Sequence, residues 1–227
     1  MRKLVLWGYH VDEYLEMFDL TAKDMTTNLL EYGCGLSAVN AELSQLGRQI
    51  ISADPLFSLD QDSLISKANL IFADTAAKIV KDKQKFDFSR YGSPELLINK
   101  RQQGMDQFFA DYEKGKAEGR YVACADCNLP FADFCFDFAL SAHYLFADLD
   151  DQDVDFHLKM IKELARVAKE VRIFPLIDRH NQLSPFLGPV LLGLQEDNFG
   201  VEVKEVPYHL QTGGNAMLRV WAQSCHV

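Results

Sequence analysis

Apolar residues follow two different periods along the chain, and segments of the two kinds alternate. Short apolar runs predict five strands, at 28–32, 49–53, 120–124, 134–141 and 170–177. Apolar residues at steps of three and four predict helices at 10–18, 37–46, 150–168 and 184–200. Two last strands, 201–208 and 216–221, flank Gly213-Gly214 and predict an antiparallel hairpin. The pattern indicates an α/β fold: a mostly parallel seven-stranded sheet with a C-terminal hairpin and helices on both faces.

Residues 57–118 interrupt this alternation after the second strand, where a compact connection would be far shorter. Apolar residues recur at helical steps from 59 to 80. Ser93-Pro94-Glu95 then has the N-cap, the first-turn proline and the acid of a helix start. That second helix is expected to reach Gly115, and Gly104 could divide it. Because the segment is too poor in apolar residues for its own core, we interpret it as a helical insertion in a single domain, 1–227.

The residues that end the predicted strands are of kinds that bind ligands. In a parallel sheet, ligands bind at the carboxyl ends of the strands, where the strand order reverses. Glycine lets a ligand approach the backbone without a Cβ in the way and leaves free N–H groups at the start of the next helix. The residues at these ends are Gly33, Gly35, Asp54, Asp126 and Ser141. Their convergence predicts a ligand site at one edge of the sheet.

The glycine spacing alone leaves the ligand open. Gly33-Cys34-Gly35-Leu36-Ser37-Ala38 fits the dinucleotide pattern G-x-G-x-x-G/A, and Asp54 lies where a ribose-binding acid would. An NAD-dependent oxidoreductase is therefore one interpretation, although its six-stranded fold has no need of a closing hairpin. A turn that needs glycine only for packing is another.

Several motifs together resemble those of the class I S-adenosylmethionine-dependent methyltransferases. They are Glu31-Tyr-Gly-Cys-Gly35, Ala53-Asp54, Asp126 with Leu129-Pro130-Phe131, Phe136-Asp137-Phe138-Ala-Leu-Ser141 and Glu163-Leu-Ala-Arg166-Val167. The resemblance leaves out the insertion and the first 27 residues. It implies a Rossmann-like fold that binds S-adenosylmethionine, and it says little about the methyl acceptor.

The resemblance also implies roles for particular residues. Glu31 would lie near the amino group and the sulfonium of the cofactor, and Asp54 would accept hydrogen bonds from both ribose hydroxyls. Asp126 and the amide of Cys127 would read the adenine amino group. The whole implied cofactor-binding set is Glu31, Gly33, Cys34, Gly35, Asp54, Pro55, Asp126, Cys127 and Ser141.

Methyl transfer requires a positioned acceptor and, for some acceptors, a base. His143, just after the fourth predicted strand, is the candidate base, and a histidine that hydrogen-bonds the loop backbone is the alternative. His180 is a weaker candidate. Ser141-Ala-His-Tyr144 replaces the Asn-Pro-Pro-Tyr segment of amino-methylating members, so we expect a small or medium-sized molecule as the acceptor. The insertion and the helix at 10–18 are expected to form a lid over it.

Composition and charge narrow the remaining classes of function. The chain of 227 residues is 48% apolar and 25% charged, with a net charge of −10. A chain so acidic shows no basic face for nucleic acid, and no apolar run reaches the roughly 20 residues of a membrane span. The five cysteines have no disulfide pattern, and Cys124-x-x-Cys127 lacks a second pair for zinc. We expect a cytoplasmic methyltransferase without a bound metal. A protein that binds S-adenosylmethionine without catalysis is the remaining alternative.

Overall fold

A seven-stranded sheet forms the centre of the computed structural model, which describes residues 7–124, 127–146, 152–178 and 180–222. The strands are β1 Leu29–Tyr32, β2 Ile50–Asp54, β3 Tyr121–Ala123, β4 Phe136–Ala142, β5 Ala168–Phe174, β6 Phe199–Glu205 and β7 Ala216–Ala222. Their order in the sheet is β3-β2-β1-β4-β5-β7-β6. The first five strands are parallel, and β7 pairs antiparallel with both β5 and β6. The predicted fold class, a Rossmann-like sheet closed by an antiparallel hairpin, is confirmed.

Helices cover both faces of the sheet and one of its edges. They are α1 Val11–Met17, α2 Val39–Gln45, α3 Gln61–Lys81, α4 Pro94–Ala117, α5 Val154–Val167 and α6 Leu187–Glu196. Apolar residues of α5 and α6 pack on one face, and those of α1 and α2 pack on the other. Three helices begin at side-chain caps, because Asp60, Ser93 and Asp153 each accept an amide hydrogen bond from the first turn of α3, α4 and α5. Among the described residues, no helix has both the length and the apolar character that crossing a membrane requires.

Two glycines have other roles than the sequence pattern predicts. α4 is not divided at Gly104, where it crosses the N-terminal segment. A Cβ on Gly104 would lie only 2.3 Å from the Gly8 carbonyl oxygen. The predicted end of the last helix at Gly200 is also wrong, since α6 ends at Glu196 and Gly200 lies in β6. A Cβ there would be 2.2 Å from the Trp221 ring. Both positions need glycine for close packing, which a local pattern does not reveal.

The insertion belongs to the core of the protein. Phe108 and Tyr112 of α4 are fully buried and pack against Phe57 and Tyr121, beside the start of β3. Nearer the start of α4, Arg101 is buried and forms an ion pair with Glu13 of α1. Removal of the insertion would therefore expose the interior of the domain. Its role as a lid stays a prediction.

Candidate functional site

The glycine loop, residues 33–38, leads from β1 to α2 where the strand order reverses. β1 pairs with β2 on one side and with β4 on the other, so its carboxyl end is a topological switch point. Gly33 and Gly35 have φ values of +65° and +58°, in the left-handed region that favours glycine. The Gly33 amide donates to the Ala53 carbonyl at 2.9 Å. This hydrogen bond fixes the loop against the end of β2.

Asp54 joins the loops that follow β1 and β2. One carboxylate oxygen accepts the amide of Gly35 and the other that of Leu56, both at 2.8 Å. The residue is 2% exposed, and burial raises the pKa of its carboxyl to about 6 despite these hydrogen bonds. Pro55 follows, partly exposed, in a short 3-10 helix at Pro55–Ser58. Each oxygen has a second lone pair, and the assignment of Asp54 to ribose hydroxyls stays a prediction.

Glu31 is a fully buried acid whose charge no cation offsets in the described structure. One oxygen accepts the Ser52 hydroxyl at 2.5 Å, whereas Oε2 has no hydrogen bond to any described residue. The nearby Tyr14 hydroxyl is likewise buried and has no hydrogen bond of ordinary geometry to a described residue. Burial raises the pKa of Glu31 to about 7, although the neighbouring Ser52, Tyr14, Ser37 and Cys34 side chains favour the charged form. An unsatisfied buried carboxylate is costly, so this position would favour a positively charged group nearby.

A chain of buried polar side chains connects Glu31 to the insertion. The Asn40 amide donates to the Ser52 hydroxyl at 2.7 Å, and Arg120 donates both to the Asn40 side chain and to Asp111 of α4. The pairs lie up to 80 residues apart in the sequence. Sequence analysis missed this network because nothing in the local pattern around Asn40 or Arg120 distinguishes them from surface polar residues.

The ring of Tyr144 packs against Gly33 in the glycine loop. A Cβ on Gly33 would lie 2.3 Å from the Cγ atom of Tyr144. The ring is 6% exposed and packs edge-on against Tyr32, with centroids 5.4 Å apart. Packing by itself therefore requires glycine at position 33 in this structure. A ligand on the side of Gly33 that Tyr144 occupies would require its ring to move.

Two residues of α5 hold the turn Leu129-Pro130-Phe131. Glu163 accepts the Leu129 amide at 2.7 Å, and Arg166 donates to the carbonyls of Leu129 and Phe131 at 3.1 and 2.9 Å. The motif Glu163-Leu-Ala-Arg166-Val167 of the sequence therefore has a structural role, since it fixes the turn that follows β3. Cys127, just before the turn, is half-buried. Asp126, its predicted partner in contacting adenine, lies outside the described residues.

His143 lies at the carboxyl end of β4; part of the residue is exposed, but its ring is enclosed between those of Tyr9 and Phe174. Its backbone is left-handed, with φ +56°, and its amide donates to the Phe174 carbonyl at 2.7 Å. Burial, together with the nearby Arg101 guanidinium, lowers the pKa of its imidazole to about 3. A base works best with a pKa near the working pH, and this pKa disfavours the predicted role. His180 is exposed in a turn beyond β5.

The structure brings most of the predicted set together at one end of the sheet. Cys34 and Ser141 are buried there, and the Ser141 hydroxyl has no hydrogen bond to a described residue. Sequence analysis missed His157 of α5, whose Nε2 accepts the Phe146 amide at 3.2 Å and so fixes the loop after β4. Among the described residues there is no group of three or more His, Cys, Asp or Glu that could hold a metal ion.

No protein-family model matches the chain. It is 25% identical over 220 residues to the uncharacterized protein MJ0045 of Methanocaldococcus jannaschii, and the match covers 96% of each chain. Similar solved structures include several S-adenosylmethionine-dependent methyltransferases. One is the magnesium protoporphyrin IX methyltransferase of Synechocystis PCC 6803 with bound S-adenosylmethionine (TM-score 0.48, 13% identity, 94% of this chain and 78% of that chain). Another is a TehB-like enzyme of Corynebacterium glutamicum (TM-score 0.47, 14% identity, 97% and 89%). Likeness at this level carries no functional argument.

Proposed function

We propose that the chain is an S-adenosylmethionine-dependent methyltransferase that acts on a small or medium-sized molecule. The observation that supports this most is the junction at the switch point, where the carboxylate of Asp54, the last residue of β2, holds the left-handed glycine loop after β1. Such a junction combines a backbone without side chains at Gly33 and Gly35 with a carboxylate suited to a ribose diol. When bound, the cofactor supplies a methyl group on a positively charged sulfur. A lone pair of the acceptor would bond to the methyl carbon as the carbon–sulfur bond breaks and the neutral sulfur leaves.

Charge and shape bear differently on how well the site suits this cofactor. Glu31 Oε2 and the Tyr14 hydroxyl are buried without hydrogen bonds to described residues, and both can accept from an ammonium group. The site therefore suits the positive charges of the cofactor. Tyr144 sets a steric condition, because its ring lies against Gly33. A cofactor on that side of Gly33 would displace the ring.

Calorimetry with S-adenosylhomocysteine and with NADH tests the proposal. Binding of S-adenosylhomocysteine alone supports it, and binding of NADH alone would establish the oxidoreductase interpretation instead. Transfer of an isotope-labelled methyl group into a metabolite extract would then demonstrate activity. Tight binding of S-adenosylhomocysteine without any transfer would favour the alternative of a protein that binds the cofactor without catalysis.

An Asp54→Asn variant tests the site itself. The amide group keeps the shape of the side chain but places a donor against a backbone N–H and removes the charge that suits ribose hydroxyls. We expect the affinity for S-adenosylhomocysteine to fall at least about tenfold, the range of one charge-assisted hydrogen bond. Asp60→Asn is the matched control, because Asp60 also accepts a backbone amide, from Ser63 at 2.8 Å, but lies exposed at the start of α3. Equal affinity in the two variants would contradict the assignment.

We further propose that the insertion and α1 cover the bound acceptor. Deletion is no test of this lid, since α4 supplies fully buried residues such as Phe108. Hydrogen exchange is the better measurement, because S-adenosylhomocysteine with an acceptor should slow exchange in α3 relative to α6. Unchanged exchange in α3 would argue for a purely structural insertion.

A further inference from the structure

The imidazole of His143 is held from two sides. Its ring stacks on that of Tyr9, with centroids 5.0 Å apart and planes 22° from parallel. The edge of Phe174 contacts it from β5, with centroids 5.5 Å apart. The backbone is fixed as well, by the hydrogen bond from the His143 amide to the Phe174 carbonyl. The ring therefore has one orientation, in which its two nitrogens have different surroundings.

The hydroxyl of Tyr9 lies 3.0 Å from Nδ1 of His143. Tyr9 is 2% exposed, and burial raises the pKa of its phenol well above the ordinary value, so the phenol keeps its proton. A buried hydroxyl proton needs an acceptor. Within the described part of the chain, Nδ1 is the acceptor that the Tyr9 hydroxyl has. If Nδ1 accepts, the single proton of a neutral imidazole must be on Nε2.

Charged groups around this pair favour the neutral imidazole. The Arg101 guanidinium of α4 lies over the Tyr9 ring, 4.5 Å from its centroid. Glu13 of α1 binds that guanidinium through two contacts of 2.7 Å, and the Tyr91 and Tyr208 hydroxyls bind the same pair. A cation beside a partly buried imidazole disfavours a second proton on it. In this setting His143 can donate through Nε2 but is a poor acceptor of protons.

We propose, on the basis of the methyltransferase function above, that Tyr9 is a positioning residue that keeps His143 as an Nε2–H donor and prevents it from acting as a base. In this state the histidine can hold an acceptor atom by a hydrogen bond from Nε2, but it removes no proton from it.

Nitrogen-15 NMR of labelled protein tests the state of His143 without a substrate. His143→Gln identifies the resonances of this histidine among the six of the chain. We expect Nε2 protonated, Nδ1 unprotonated, and no titration between pH 5 and 8. Tyr9→Phe should remove the preference for this tautomer. Tyr112→Phe is the control, because it also removes a buried tyrosine hydroxyl, one that donates to the Phe57 and Leu59 carbonyls, and should leave the His143 signals unchanged. An Nδ1–H tautomer, or a titration within that range, would overturn the proposal, and the wild-type spectrum alone decides it if Tyr9→Phe does not fold.

Turnover tests the role of Tyr9 in catalysis. We expect turnover in the labelled-cofactor assay to fall up to about tenfold in Tyr9→Phe, with unchanged affinity for S-adenosylhomocysteine. Unchanged turnover would refute the positioning role. Failure to bind S-adenosylhomocysteine would refute the proposed function instead, and the NMR result separates the two.

Discussion

Replacement of Glu31 by glutamine should stabilise the protein at pH 8 and weaken its affinity for S-adenosylhomocysteine. Glu31 is fully buried, and its Oε2 has no hydrogen bond to a described residue. Glutamine keeps the oxygen that accepts from Ser52 and removes the buried charge. Its amide can donate to the Tyr14 hydroxyl, which is buried nearby. A gain in stability with a loss in binding is the signature of an acid retained for a ligand.

The expected size of the gain follows from the pKa of Glu31. Burial raises this pKa from the usual 4.5 to about 7. The charged form therefore costs up to about 3 kcal/mol at pH 8. Because the folded pKa is raised, the stability from the protonated acid is complete below about pH 4.5 and is lost as the pH rises through 7. The variant should match the wild type at pH 4.5 and exceed it at pH 8, by up to about 6–12 °C in Tm.

Glu13→Gln is the matched comparison, since Glu13 is equally buried but paired. Burial alone would raise the pKa of Glu13, yet the Arg101 guanidinium outweighs it and the pKa is lowered. Loss of one partner from such a pair costs about 3–5 kcal/mol. The same substitution should thus change Tm in opposite directions at the two sites. Scanning calorimetry at both pH values measures this. A Glu31→Gln variant destabilised at pH 8 as much as Glu13→Gln would refute the reasoning, and an unchanged affinity for S-adenosylhomocysteine would remove Glu31 from the ligand site.

Two further substitutions test the loops. Gly33→Ala should lower the free energy of unfolding by about 2–5 kcal/mol, combining left-handed strain with overpacking against Tyr144. Gly47→Ala, with φ +68° and no atom within 4 Å of the added Cβ, should cost only the strain, about 1–2 kcal/mol. Urea denaturation compares them, and equal losses would contradict the packing account of Gly33. Arg166→Met should release the turn at Leu129 and lower the affinity for S-adenosylhomocysteine severalfold. It should change Tm little, because the Arg166 side chain is 34% exposed. Unchanged calorimetric affinity would show that the turn does not contribute to binding.

Most of the sheet was predictable, because apolar period and strand-ending residues are local properties of the chain. The ends of β1 and β2 at glycine and Asp54 followed from short-range rules of turn geometry. The predictions for Gly104 and Gly200 were wrong because both glycines are determined by contacts between distant parts of the chain. Gly104 packs against Gly8 and Gly200 packs against Trp221, each without room for a Cβ. A local sequence pattern does not predict such contacts.

The same division holds for the candidate site. The sequence alone predicted a nucleotide-like ligand, since the glycine loop and Asp54 lie within 21 residues of each other and end two adjacent strands. Only the tertiary structure revealed what surrounds them: Glu13 with Arg101, 88 residues apart, and Tyr9 with His143, 134 residues apart. The ionisation of Glu31 and of His143 depends on those surroundings, because burial and neighbouring charges determine a pKa. Residue type and spacing placed a histidine after β4, and its folded neighbours determine which of its nitrogens carries the proton.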